Sequence, residues 1–386
     1  MKGRKKMQKD KTEKKYARMA NFELLRIIAM LMIIVLHYIV KGNMSAELYD
    51  DGSAENHLWW LIEAFCNVAV NAYVLISGYF LVNARWKVSR LISLICQVLF
   101  YSILTGVVMY LVFSVIQPDF ALSVLNKANI SYQFGLSTWL YIFLPIEYEH
   151  YWFATAYVIM YMLSPVLAIA VKNMPQKQLK TVIVVLICFF SIPKSINPYL
   201  IPTDGYGYDF GWFICLFLIA GYIKMYGIRF FNSKVKAITV YVISVLINWG
   251  IASVTGAICR ETGKLDYYTD MTYAYNYILV LISSVAFFYV FTYVKIEDGF
   301  MSKLICKVAP FTFGIYLLHE NIGIRFLWPY MLGAQTSSIF IVSVCRMILA
   351  VVAVFVTGCL VDWFRTGVFS FVGGLFIKRF DKKTEV

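Results

Sequence analysis

Ten long apolar runs follow one another along the chain, at residues 27–40, 58–82, 91–116, 152–171, 181–196, 210–223, 237–257, 273–294, 308–328 and 337–360, with short polar segments between them. About 20 apolar residues are what a helix needs to cross roughly 30 Å of hydrocarbon, where backbone N–H and C=O groups must find partners within the segment. The pattern predicts an all-α fold, a polytopic membrane helix bundle of about ten transmembrane helices. Residues 117–151 are of mixed polarity, and their aromatic stretch at 139–145 is too short and too interrupted to span, so an interfacial or re-entrant segment is expected there.

The connecting segments alternate in charge. Lys2 to Arg18 carry nine lysines and arginines, and further basic clusters follow the second, fourth, sixth, eighth and tenth runs. The intervening loops carry Glu47, Asp50, Asp51, Glu55, Asp204 and Asp209. Of the Lys and Arg in these segments, 27 fall on one side and five (Lys41, Lys127, Lys194, Arg260 and Lys264) on the other. By the positive-inside rule both termini are cytoplasmic. The expected organisation is a basic tail at 1–19, a transmembrane bundle at 20–361 and a second basic tail at 362–386. A basic start before an apolar run also resembles a secretion signal, but no clear cleavage site follows and many spans come later, which favours a retained first helix.

Composition adds exclusions. Hydrophobic residues make up 60% of the 386 and charged residues only 15%, with a mean hydropathy of +0.69. No room remains for a separate soluble domain. The net charge of +13 raises nucleic acid as a partner, yet the basic residues sit between apolar runs, where topology explains them. Eight scattered cysteines show no metal or redox spacing, so neither a disulfide framework nor a zinc site is indicated. No internal repeat or matched pair of broken helices marks a transporter.

Against this background the stretch Asn21 to Tyr38, which opens the first run, stands out, because it holds Arg26 and His37. Ionisable groups within a membrane helix cost roughly 2.5–3.5 kcal/mol each on insertion scales and usually face a cavity or partner. Eleven residues apart, the two return to within about 20° of one helical face, about 16 Å along the axis. The plainer account is an arginine snorkelling to phosphates and a histidine tying helices together. Glu63, at similar depth in the second run, could orient the imidazole or serve an interhelical role. A pocketed histidine can take a proton from a hydroxyl near neutral pH.

Three further stretches mix small or polar residues with apolar ones: Asn71 to Phe80, His150 to Tyr157, and Phe311 to Glu320. Trp152 and Tyr157 suit an interfacial aromatic role as well as substrate contact, and His319 and Glu320 are adjacent ionisable residues deep in the ninth run. With Arg26 and His37, the Ser77-Gly78-Tyr79 segment, the basic residues from Arg85 to Arg90, Tyr151-Trp152-Phe153, and Gly314 to His319, the chain resembles the acyltransferase 3 family of bacterial integral membrane acyltransferases over nearly its whole length.

That resemblance implies transfer of an acyl group, usually acetyl, from cytoplasmic acyl-CoA (acetyl-CoA) to a hydroxyl at the outer face. It implies His37 as catalytic base and Arg26 as a coenzyme contact, with Arg85, Lys87 and Arg90 competing for a second basic role. Trp152, Tyr157, His319 and Glu320 are candidate substrate-binding residues, and no metal is called for. Expected partners are acyl-CoA, an extracytoplasmic glycan or lipid-linked sugar acceptor and the bilayer, with no nucleic acid, in a bacterial plasma membrane. Since the chain stops shortly after the tenth run, acceptor recognition is expected from outer loops such as Gln117 to Tyr151 and Asp204 to Asp209, or from a partner protein. The rivals are a transporter or flippase for an envelope sugar or lipid, in which Arg26 and His37 bind cargo or relay protons, and a noncatalytic partner in a polysaccharide assembly complex.

Overall fold

The computed structural model describes residues 2–128, 134–148, 150–197, 205–335, 337 and 339–373, with side chains from residue 20 onward except at 120, 121, 124, 127, 128, 372 and 373. Expectations resting on Pro198, Pro202, Asp204 and the basic residues Lys378, Arg379, Lys382 and Lys383 lie outside the described residues. The described chain contains no strand. Its helices are α1 (Lys2–Lys41), α2 (Ala54–Cys66), α3 (Ala69–Leu81), α4 (Val88–Tyr110), α5 (Asp119–Ala128), α6 (Leu136–Phe143), α7 (Trp152–Asn173), α8 (Gln176–Phe190), α9 (Ile192–Ile196), α10 (Phe210–Tyr226), α11 (Lys234–Thr262), α12 (Asp266–Met271), α13 (Ile278–Thr292), α14 (Phe300–Val308), α15 (Thr312–His319), α16 (Trp328–Met331) and α17 (Phe340–Gly373).

Eight stretches are long and apolar enough to cross a membrane: Ala20–Lys41, Ala54–Leu81, Val88–Ile116, Trp152–Asn173, Gln176–Ile196, Lys234–Thr262, Phe300–His319 and Phe340–Phe371. The sixth and eighth expected runs are the shorter apolar helices α10 and α13, of 17 and 15 residues. The segment after α4 forms α5 and α6, of 10 and 8 residues, and neither has the length to cross. At the centre stands α1, in contact with α2, α3, α13, α14, α15 and α17.

Local chemistry explains the joints. Pro165 inside α7 cannot donate to the Tyr161 carbonyl four residues back. The indole N–H of Trp86 (3.2 Å) and the hydroxyl of Ser164 (2.7 Å) donate to that carbonyl instead. The Tyr161 hydroxyl in turn donates to the Lys87 carbonyl at 3.1 Å, which pins the basic 83–87 segment to α7. Asn71, fully buried on α3, donates to the Tyr275 carbonyl (2.8 Å) and accepts from the Trp212 indole (3.0 Å). One side chain thereby ties three spans where lipid offers no competing partner. At Gly78 a Cβ would meet the Phe217 backbone at 2.9 Å, so glycine is what lets α3 and α10 approach.

Two expected boundaries move. The ninth span is Phe300–His319 rather than 308–328, and Lys303 and Lys307, read as loop residues, ride on α14. The helix stops because Asn321 turns the chain: its side-chain oxygen accepts the Gly323 N–H at 2.9 Å. His319 and Glu320 consequently lie at the end of that span, not deep within it. The last helix continues past 361 because Asp362 is fully buried, accepting from Tyr101 (2.8 Å), Gln97 (3.1 Å) and Arg365 (2.6 Å). That network clamps α17 against α4.

Candidate functional site

His37 and Lys41 are one turn apart near the end of α1, and the end of α15 brings His319 and Glu320 against them. His37 Nδ1 is 2.9 Å from His319 Nε2 and 3.1 Å from Glu320 Oε2. On the other edge of the second ring, His319 Nδ1 is 2.6 Å from the Ile315 carbonyl oxygen. A carbonyl only accepts, so His319 carries its proton on Nδ1 and presents Nε2 as an acceptor. His37 Nδ1–H then donates toward His319 Nε2 and Glu320 Oε2, which leaves the lone pair on His37 Nε2. The imidazole is fixed in both tautomer and orientation by partners drawn from the far end of the sequence.

Glu320 is itself held. Lys41 Nζ sits on its Oε2, Arg325 Nη1 lies 3.7 Å from its Oε1, and its side chain is 4% exposed. A buried carboxylate with two cations and an imidazole N–H around it is a compensated charge. His37, His319 and Glu320 also place three metal-ligating atoms within 4.8 Å of one another. The Lys41 ammonium, however, lies on the carboxylate oxygen that a cation would need, and Arg325 adds a second positive charge. The cluster holds the His37 ring in one orientation and suits a divalent ion poorly.

Two cavities meet at His37. A vestibule of about 710 Å³ runs from His37 past Glu63, Asn67 and Asp270 to Glu320 and Arg325, and Trp152, Tyr208 and Tyr275 line it with their rings. Those rings pack together, with centroids 4.4 Å (Trp152–Tyr208) and 4.9 Å (Tyr208–Tyr275) apart. Tyr206, also lining the vestibule, takes a left-handed backbone (φ 58°) between two glycines. In the opposite direction a slot of about 20 Å³ leads from His37 down the face of α1 along Ile33 and Met30, enclosed by Tyr73, Phe153, Phe313 and Tyr316. That volume is close to the room one water molecule needs. The Tyr316 hydroxyl is buried and has no acceptor among the described residues.

Arg26 lies one turn beyond Met30 on the same stripe of α1, where it pairs with Glu23 at 2.5 Å. The basic 85–90 segment is exposed at that same end of the bundle: Phe80, just before it, packs edge-on against Phe22 at 5.2 Å. Arg85, Lys87 and Arg90 therefore belong to the Arg26 end, while His319 and Glu320 join His37. Glu63 lines the vestibule, but the carboxylate touching His37 is Glu320, a correction to the expected pairing. Trp152 borders both cavities; Tyr157 lies one turn deeper, stacked on Phe153 at 6.0 Å and bordering neither.

Beside the vestibule, the Asp270 carboxyl is pushed up to about 6, first by desolvation and then by Glu47 and Asp266. His150, 2% exposed under the same end, is lowered to about 4 by burial. Its neutral ring accepts the Ile322 N–H on Nε2 (3.1 Å) and donates from Nδ1 to the Tyr141 carbonyl (3.1 Å). Sequence reasoning missed Lys41 and Arg325 as parts of the cluster and Asp270 as part of the vestibule, and reached Tyr206 and Tyr208 only as members of the 204–209 loop. Lys41 had a signal: it stands four residues from His37 on one helix face.

Fold and site together define a polytopic helix bundle with an oriented imidazole between a wide vestibule and a narrow internal slot. The family model described as an acyltransferase domain, acyltransferase 3, matches residues 19–363, and the chain belongs to that family. It is a multi-pass membrane protein of an acyltransferase family. No curated protein and no solved structure matches it.

Proposed function

We propose that the chain moves an acyl group, acetyl in the simplest case, from cytoplasmic acyl-CoA to a hydroxyl of a cell-envelope carbohydrate or its precursor, in a bacterial plasma membrane. The observation that carries this reading is the locked His37 ring at the meeting of two unlike cavities. A general base must hold one tautomer and aim its lone pair at the reacting oxygen.

In this reading the acceptor enters through the vestibule. Aromatic faces suit the apolar faces of a sugar ring, and Glu63, Asn67 and Asp270 suit its hydroxyls. The donor comes from the opposite side, its phosphates at Arg26 and the 85–90 segment, since a guanidinium binds two phosphate oxygens at once. The pantetheine arm then occupies the slot, which opens by movement of the Tyr73, Phe313 and Tyr316 rings. His37 Nε2 removes the acceptor hydroxyl proton as the oxygen attacks the thioester carbonyl. Glu320 stabilises the imidazolium that forms, and the Tyr316 hydroxyl donates to the developing oxyanion. As the C–S bond breaks, the proton passes from His37 to the departing thiolate, giving an ester and free coenzyme A.

The test is transfer from labelled acetyl-CoA by purified, monodisperse protein. His37→Gln should lower kcat by about 10²–10⁴-fold, and Tyr316→Phe by about 10²-fold, each with KM little changed. Full activity in His37→Gln would remove the base from the mechanism. Solute uptake without acyl-CoA would favour a transporter instead.

A further inference from the structure

The wall of the bundle between α8 and α13, away from the site described above, carries a groove of about 790 Å³ with α10 as its floor. Lys180, Ile183, Val184 and Ile187 of α8 recur along it at i, i+3, i+4 and i+7, and Leu281, Ile282 and Val285 of α13 face them. Such spacing marks a single face of each helix, so the groove runs parallel to the helix axes. From Lys180 to Ile187 the α8 wall rises about 10 Å, directed along the bilayer normal. Val184 is 47% and Ile282 38% exposed, so the groove opens sideways to lipid.

Its charge is confined to one end. Lys177 and Lys180 on the first turns of α8 and Arg229 after α10 border it there, and no carboxylate lines it. None of the three forms an ion pair among the described residues. That end coincides with the Arg26 end of α1, because the Ile228 N–H donates to the Tyr289 hydroxyl (2.6 Å) while Asn21 donates to the Phe291 carbonyl (2.9 Å). An apolar slot aligned with the acyl chains, capped by cations at headgroup depth, matches one ligand chemistry.

We propose that this groove binds an anionic phospholipid from the leaflet on the Arg26 side, its phosphate held by Lys177, Lys180 and Arg229 and one acyl chain lying along the apolar wall, where it bridges α8 to α13. The site is independent of the acyl-transfer reading, because it contains none of the residues used there.

The experiment is native mass spectrometry and thermal unfolding of the full chain, delipidated and then reconstituted with dioleoyl phosphatidylglycerol or dioleoyl phosphatidylcholine. Wild type should retain one phosphatidylglycerol per chain at least tenfold over phosphatidylcholine and gain several degrees in Tm with it. The Lys177→Gln/Lys180→Gln/Arg229→Gln variant should lose the preference. Val184→Trp, which fills the groove and keeps the cations, should lose the adduct. Glycerol phosphate alone should produce no shift. Equal retention of both lipids by wild type, an unchanged preference in the triple variant, or the same stabilisation from glycerol phosphate would overturn the proposal. So would a dimer of this chain abolished by Val184→Trp, since the groove would then be an interface between copies.

Discussion

The two ionisable side chains of α1 are held in opposite ways. Arg26 finds its partner one turn away on its own helix, Glu23, and remains 27% exposed. His37 is gripped by His319 and Glu320, across separations of 282 and 283 residues, and Glu320 is gripped in turn by Lys41 and Arg325. A partly exposed pair of neighbours is worth about 0–1 kcal/mol and exchanges readily for a stronger anion. A buried cluster joining two helices does not rearrange without moving those helices. Under the proposed function the difference shows where each kind of work belongs: a side chain that must let go of one anion and take another is tied locally, whereas one that must aim a lone pair is tied through the tertiary fold.

The sharpest way to break this contrast is at Glu320. Glu320→Gln keeps the shape and removes the charge that stabilises an imidazolium, so kcat should fall about 10²-fold with both KM values within about threefold. Glu63→Gln, whose side chain borders the vestibule without touching His37, should leave kcat near wild type and raise the acceptor KM several-fold. Initial rates with varied acetyl-CoA and acceptor separate the two variants. An equal kcat loss in Glu63→Gln would return the orienting role to Glu63.

The next effect is at the other end. Arg26→Ala removes a local pair and the proposed phosphate contact, so the apparent KM for acetyl-CoA should rise about tenfold while kcat stays within twofold and Tm shifts little. A large Tm loss with unchanged KM would make Arg26 a structural residue and dissolve the comparison.

How much of this could be read from the sequence follows the same division. Arg26 and His37 were legible because a charge inside an apolar run is costly enough to announce itself. The spans were legible for the same reason, including short α10 and α13. Partnership was not. Nothing along the chain says that Glu320 rather than Glu63 meets the imidazole, because both are acidic residues near the same end of a span and only packing chooses between them. Lys41 was counted as a loop cation for topology although it stands one turn from His37. The end of the ninth span was misjudged because the apolar residues Ile322, Ile324, Phe326 and Leu327 continue past the turn at Asn321, filling loop contacts instead of extending the helix. The vestibule rings Tyr206 and Tyr208 lie between helices, where periodicity carries no signal.

The smallest expected effect concerns the support under the His37 end. His150 anchors the chain just before α7 to Ile322, two residues from Glu320, and does so as a neutral ring whose pKa is lowered to about 4 by burial. The unfolded chain, with histidine near 6.5, binds more protons between these values than the folded one does, so folding stability rises with pH across that window. His150 thus contributes stability that is fully present above about 6.5 and is lost progressively as pH falls toward 4, at no more than about 1.4 kcal/mol per pH unit. His150→Gln, which keeps an acceptor and a donor but cannot titrate, should flatten the part of the Tm–pH curve between 4.5 and 6.5 that is due to this ring. Because Asp270, raised to about 6, titrates in the same interval with the opposite sign, the comparison is best made as wild type minus His150→Gln at each pH. A difference curve without slope would show that the ring is not what fastens this end, and the support of His37 would then rest on His319 and on Glu320 with its Lys41 and Arg325 partners.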